Sequence, residues 1–309
     1  MTLPNFFIVG APRCGTTALS SYIAEHPNIC LSRPKEPHYL LQPPKDISFE
    51  EYVSQYIEQF FGHCNPQRHS AIGEASVTYL YDDEVLKRVL QVNPEGKLIA
   101  MVRNPLDLLR SYHFWMLYIM DEDVTDFQEA WQLQERRLQG DYLPELCRDR
   151  RLLQYRYVAQ LGTRIQRLFE LAGRDRCLVL VFDDFIANPP EMYQKICHFL
   201  GVSDDGRTYF PQRQHSRTYR SSTIQRLLLH PPDSLLKKVS KPPGKDKLSQ
   251  WKRLAILKLH RALLFLNRRT QSAPPLSPEM KLLLQDTYTD DVKLLSELLG
   301  RDLTYWLKT

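Results

Sequence analysis

The stretch that most limits how this chain can fold is Gly10-Ala-Pro-Arg-Cys-Gly-Thr-Thr17. Four apolar residues, Phe6 to Val9, lead into it, and a helical pattern from Ala18 to His26, closed by Pro27, follows it. A buried strand, a glycine-bounded loop and a helix N-terminus in that order present backbone N–H groups to an anion, and the helix dipole adds to the attraction. The loop therefore reads as a phosphate cradle. A nucleoside triphosphatase needs GxxxxGK[ST], with its Lys reaching the β and γ phosphates. Here Thr16 stands where that Lys would be, and the cation of the loop is Arg13. The site suits a smaller, doubly substituted anion. A nucleotide kinase is disfavoured further because no Asp ends the apolar run Leu98 to Val102.

Two more apolar runs, Leu98 to Val102 and Cys177 to Phe182, are predicted strands. The first leads through Arg103-Asn104-Pro105 into a helix to about Leu117, with Pro105 at the first turn, where its missing N–H costs nothing. The second lies between helical patterns at about Leu152 to Leu171 and Pro190 to Leu200. Strands alternating with helices predict an α/β fold with a central parallel sheet flanked by helices. Ser32 to Lys45 holds four prolines and is predicted as a loop, followed by a helix from Phe49 to Phe61. A short strand is expected at Ala71 to Gly73 and a helix at Asp83 to Val92, and Ser277-Pro278-Glu279 starts a last helix with an N-cap and an acid facing the dipole.

With 309 residues, 43% of them hydrophobic, the chain can build one large domain spanning 1–309. Its net charge of +5 is regional: residues 207–269 hold sixteen Lys or Arg and two acids, Asp233 and Asp246, a balance of +14 against −9 elsewhere. This marks a basic, mainly helical insertion at about 207–275. It is read as a solvated helix face or as a surface for an anionic partner. The six cysteines show no CxxC pair and no His at metal-ligand spacing, so neither a zinc module nor a disulfide framework is signalled. All six are expected as reduced thiols. No signal peptide or transmembrane segment is seen, since Phe6 to Val9 falls far short of the ~20 residues a bilayer needs. The expected location is cytoplasmic.

FIVGAPRCGTTALSSYIAEHPN, residues 7–28, resembles the 5′-phosphosulfate loop of sulfotransferases that use 3′-phosphoadenosine 5′-phosphosulfate (PAPS), in the branch shared by bacterial enzymes and heparan sulfate sulfotransferases. Lys35-Glu36-Pro37-His38-Tyr39, Gly73-Glu74-Ala75-Ser76, Leu98 to Pro105 with Ser111, and LLSELLGRDLTYWL at 294–307 agree in order and spacing. The resemblance covers most of the chain apart from about 205–275. It implies a P-loop-like three-layer fold and transfer of a sulfonate to an acceptor hydroxyl, or alternatively an amine, leaving 3′-phosphoadenosine 5′-phosphate and requiring no metal.

The resemblance also implies roles. Arg13, Cys14, Gly15, Thr16 and Thr17 would hold the 5′-phosphosulfate, and Arg103 and Ser111 the 3′-phosphate. Arg13 would stabilise charge on the bridging oxygen, as electrostatics only, because an Arg keeps its proton at neutral pH. Glu36 matches the catalytic base, and His38, two residues on, would point the same way in an extended loop and help to hold the acceptor. Glu74 ranks behind Glu36. Relatives carry a second catalytic Lys where this chain has Ala75, so Arg13 or a cation from elsewhere must replace it. Arg217, Tyr219 and Arg220, with Tyr209 and Phe210, are candidates for a loop over the nucleotide. Partners would be a glycan or a small molecule such as a natural product, with no nucleic acid. A non-catalytic nucleotide-binding regulatory protein on the same fold is the alternative, favoured by the missing lysines and the basic segment.

Overall fold

A computed structural model describes residues 3–211, 217–231 and 247–308 of the chain. Two compact units are present, one from Met1–Leu108, Arg156–Gln214 and Lys281–Thr309, the other from Leu109–Tyr155 and His215–Met280.

The first unit is built on five parallel strands, β1 (Phe6–Gly10), β2 (Ile29–Leu31), β3 (Ala71–Glu74), β4 (Lys97–Val102) and β5 (Cys177–Val181), in the order β2-β3-β1-β4-β5. Helices flank this sheet, as the alternating pattern predicts. β1 is buried along its whole length, as a central strand apolar on both faces must be. Phe6 pairs with Gly73 on one side and Lys97 on the other, and Leu98 pairs with Cys177. Pairing with β4 slips between Ile8 and Gly10, which bends β1 where it enters its loop.

Because all five strands run the same way, the segments after Gly10, Leu31, Glu74, Val102 and Val181 leave from one edge. From β1 the chain adds β2 and β3 on one side and then crosses to β4 and β5 on the other. Such a reversal opens a crevice at the carboxyl ends of the strands, where ligands bind in open α/β sheets.

The helices form where their caps and apolar spacing dictate. Ser48 accepts a hydrogen bond from the Glu51 N–H at 3.1 Å and starts the helix Phe49–Phe61, which buries Tyr52, Val53, Tyr56, Phe60 and Phe61 along one stripe. Asp82 caps Asp83–Val92 in the same way. The last helix, Pro278–Leu299, opens on the predicted Ser277 cap, which accepts from the Met280 N–H at 3.1 Å.

Several expectations need correction. The first helix is Thr16–Ile23, starting two residues before the pattern Ala18 to His26 and ending three residues before its end. Ile29–Leu31, unassigned in the sequence, is a strand because β3 lies beside it and supplies its hydrogen-bond partners. The helix expected from about Leu152 is interrupted: a turn at Arg150–Leu153 and a short helix Tyr155–Val158 precede Leu161–Ala172. Asp291, far along the chain, accepts from the N–H groups of Gly162 and Thr163 at 2.7 and 2.8 Å and caps that last piece. The largest correction concerns the thiols. Cys30 and Cys64 form a disulfide, and His63 lies against it, so the expectation of six reduced cysteines without a neighbouring His does not hold.

The second unit has a buried ionic centre. Arg137 donates to both oxygens of Glu122 at 2.5 and 2.7 Å, and the Tyr155 hydroxyl donates to the same carboxylate at 2.6 Å. A two-stranded antiparallel ribbon, β6 (Arg217–Tyr219) and β7 (Arg268–Thr270), packs with the helices Ser222–Leu229 and Lys247–Asn267. Buried Asn267 pins the ribbon by bonding Ser221 and Gln225 at 3.0 Å. Residues 212–216 and 232–246 of the basic segment lie outside the described residues. Among the described residues no helix is long and apolar enough to cross a membrane.

Candidate anion-binding and acid–base site

The loop after β1 turns on two residues in the left-handed region, Arg13 at φ 64° and Gly15 at φ 93°. Gly15 is the N-cap of the helix Thr16–Ile23 and supplies no side-chain cap, which leaves the first-turn N–H groups without an intrahelical acceptor. A Cβ at Gly15 would come within 2.9 Å of the Phe182 ring, on a backbone that L residues rarely adopt, so only glycine fits. Cys14 is fully buried, and burial pushes its thiol up to about 12 despite the Arg103 and Arg13 charges. It contributes backbone and packing, not a thiolate. Thr16 is buried and Thr17 half-buried.

Arg103 leaves the carboxyl end of β4 and joins this loop. Its Nη1 donates to the Arg13 carbonyl at 3.1 Å, and its guanidinium lies 4.4 Å from the centre of the Phe182 ring. Its Nε is buried with no hydrogen-bond partner among the described residues. A buried cationic donor left unsatisfied is costly, and an anion removes that cost. An uncapped helix start, a glycine that cannot be replaced and an unsatisfied arginine donor fit an anionic group at this edge of the sheet.

A second cluster lies at the carboxyl ends of β2 and β3. Glu36 and His38 do meet, but not on extended backbone as expected: both sit in the left-handed region, at φ 60° and 52°. Glu36 is ion-paired to Lys35, and its Oε2 lies 3.5 Å from His38 Nε2. Burial pushes the Glu36 carboxyl up, but His38 and Lys35 outweigh it and hold the group below its ordinary value. The carboxylate is ionised at neutral pH. The other side of the imidazole, Nδ1, is 3.2 Å from the Thr78 hydroxyl, and the His38 N–H donates to Ser76 Oγ at 3.1 Å.

Beneath it, fully buried Glu74 accepts from Ser76 Oγ at 3.1 Å. Burial pushes its carboxyl up to about 7, against the pull of Tyr79, Tyr56 and Ser76. A carboxyl raised on folding favours the native state while both forms are protonated, and that contribution is lost as pH rises through the folded value. Between 4.5, its ordinary value, and about 7, the wild type should lose on the order of 3 kcal/mol that Glu74→Gln keeps. Urea unfolding of both proteins at pH 5 and pH 8 measures this; parallel pH dependence would refute a neutral Glu74.

The other residues marked in the sequence are distributed differently. Ser111 is buried on the helix Pro105–Ile119, in the part belonging to the second unit. Arg217, Tyr219 and Arg220 also belong to that unit, with both arginines exposed. Tyr219 helps to line a cavity of about 310 Å³ with Arg110, His113, Phe127 and Met280. Tyr209 is exposed, whereas Phe210 packs against Tyr22 and Tyr193 with ring centres 5.0 and 5.1 Å apart. Thr78 escapes the sequence reading, and Ser76 and Phe182 appear in it without a role, although each follows a strand at the carboxyl edge, and that position was the available signal.

A model of the sulfotransferase domain matches residues 3–225. Among curated relatives, carbohydrate sulfotransferase 15 of Mus musculus is 25% identical over 248 residues, 65% of this chain and 44% of its own length. Bifunctional heparan sulfate N-deacetylase/N-sulfotransferase 4 of Mus musculus is 23% identical over 219 residues, 68% of this chain and 24% of its own. The chain thus spans less than half the length of these relatives. A solved sulfotransferase from Alicyclobacillus acidocaldarius is 24% identical, covers 99% of both chains and superposes with a TM-score of 0.67, a likeness of fold.

Proposed function

The chain belongs to the sulfotransferase domain family, and from that premise we propose that it moves the sulfonate of PAPS to an acceptor hydroxyl by in-line displacement. The observation that carries this reading is Arg103, whose buried Nε, without a partner among the described residues, and bond to the Arg13 carbonyl tie an anion-seeking cation to a lysine-free loop. PAPS, when bound, supplies the sulfonate and a nucleotide leaving group; no metal is proposed.

In this reading the loop around Cys14 holds the 5′-phosphosulfate through the N–H and hydroxyl groups of Gly15, Thr16 and Thr17, and Arg103 with Ser111 holds the 3′-phosphate. Arg217, Tyr219 and Arg220 remain candidates for covering the nucleotide. Arg13 stabilises the negative charge that grows on the bridging oxygen as its bond to sulfur breaks. Glu36, ionised through Lys35 and His38, takes the acceptor proton while the new oxygen–sulfur bond forms. His38 steadies Glu36 and the acceptor. Lys35 is the cation beside the base and meets the need left by Ala75.

For the acceptor, the likeness to carbohydrate and heparan sulfate sulfotransferases favours a glycan over a small natural product, with an amine as the alternative to a hydroxyl. The expectation of a cytoplasmic location rests on reduced cysteines and on the lack of a signal peptide or transmembrane run in the sequence, and the Cys30–Cys64 bond removes two thiols from the first of these. The test is turnover of PAPS against a panel of glycans and small hydroxylated or amino acceptors, read by product mass. A sulfonated product with release of 3′-phosphoadenosine 5′-phosphate is expected. Tight nucleotide binding with no product from any acceptor would favour the non-catalytic regulatory reading.

A further inference from the structure

We propose that Cys30, His63 and Cys64 form a cation site when their disulfide is reduced, taking a thiophilic divalent ion such as Zn²⁺. Their ligand atoms lie within 4.8 Å of one another. His63 Nε2 is 3.5 Å from Cys30 Sγ and 3.8 Å from Cys64 Sγ. A tetrahedral zinc with bonds of about 2.0 Å to nitrogen and about 2.3 Å to sulfur sets those two ligands about 3.6 Å apart. The nitrogen–sulfur edges of a Cys₂His site therefore already have their length, and only the sulfur–sulfur edge has to open.

Cys30 is buried, Cys64 half-buried and His63 exposed, so the ion has a path in and a water can take the fourth corner. Nε2 now lies 3.0 Å from the Leu31 carbonyl. Metal binding uses that nitrogen's lone pair, so the ring proton resides on Nδ1 and the carbonyl gives up the contact. Reduction takes two electrons from an external phosphine, which leaves as its oxide with the oxygen of water, and yields two thiols. Each thiol then releases its proton to buffer as its sulfur binds the metal. In either state the same residues join the end of β2 to the residues after the helix Phe49–Phe61. The loop they close carries Lys35, Glu36 and His38.

The test uses the full chain, reduced with a phosphine under anaerobic conditions and titrated with Co²⁺. One cobalt per chain is expected, with thiolate-to-cobalt charge transfer in the near ultraviolet, tetrahedral bands in the red, and bleaching by Zn²⁺. The unreduced chain should give neither signal. Cys64→Ser should remove about half of the charge-transfer intensity. His63→Gln, which keeps both thiols and alters an exposed side chain, should weaken Zn²⁺ binding about 10-fold or more and is read even if Cys64→Ser fails to fold. A reduced chain without these bands overturns the proposal. So do bands that neither substitution changes, which would assign the ion to other cysteines.

Discussion

Glu36→Gln is expected to stop sulfonate transfer while leaving nucleotide binding intact. Glutamine keeps the size of the side chain and its capacity to meet Lys35 and His38, but it cannot take a proton. A positioned base is worth about 10²- to 10⁴-fold in rate, and the whole of that loss should fall on turnover with saturating donor and acceptor. Affinity for 3′-phosphoadenosine 5′-phosphate, measured by calorimetry, should change by less than about 3-fold, since Glu36 faces Lys35 and His38 rather than the arginines of the loop. Retained turnover would remove Glu36 as the base and return attention to Glu74.

The second large effect is expected at Arg103. Alanine there deletes the charged donor proposed for the 3′-phosphate, the Nη1 bond that supports the Arg13 carbonyl, and the cation over the Phe182 ring. A hydrogen bond to a charged group is worth about 1.5–3 kcal/mol, so 3′-phosphoadenosine 5′-phosphate should bind about 10- to 100-fold more weakly. Arg103→Lys should recover part of the charge but not the fork geometry. Comparison with adenosine 5′-phosphosulfate, which lacks the 3′-phosphate, separates the two roles. If the substitution weakens both ligands equally, Arg103 acts by shaping the loop and the 3′-phosphate is held elsewhere.

Much of the sheet was legible because its central strands are continuous apolar runs, and the strand-to-helix loop after β1 because its glycines stand between such a run and a helical pattern. Chain-local patterns fail where a distant residue decides the outcome. β2 has three residues and is a strand only beside β3. The helix at Leu161 begins where Asp291 caps it. Cys30 and Cys64 are 34 residues apart, a spacing that carries no signal, and the pairing follows from the fold of the loop between them. Glu36 and His38 were marked through family resemblance, and the geometric reason attached to them was wrong: left-handed backbone, not alternation along an extended loop, brings their side chains together. The supports of the site, Phe182, Ser76 and Thr78, carry no signal of their role in the sequence and emerge once the strand ends converge.

The burial of the remaining described thiols has a chemical consequence of its own. Scrambling of a disulfide begins with attack by a thiolate, at a rate set by how much thiolate is present and how easily it reaches sulfur. Cys14 and Cys197 are buried, and desolvation raises the thiols of Cys14 and Cys177 to about 12 and that of Cys197 to about 11. Burial also raises Cys147. At neutral pH each is overwhelmingly protonated, so the Cys30–Cys64 bond has few internal attackers. Its oxidation state should follow the surrounding medium and not the other cysteines of the chain, and the loop that carries Glu36 inherits that insulation.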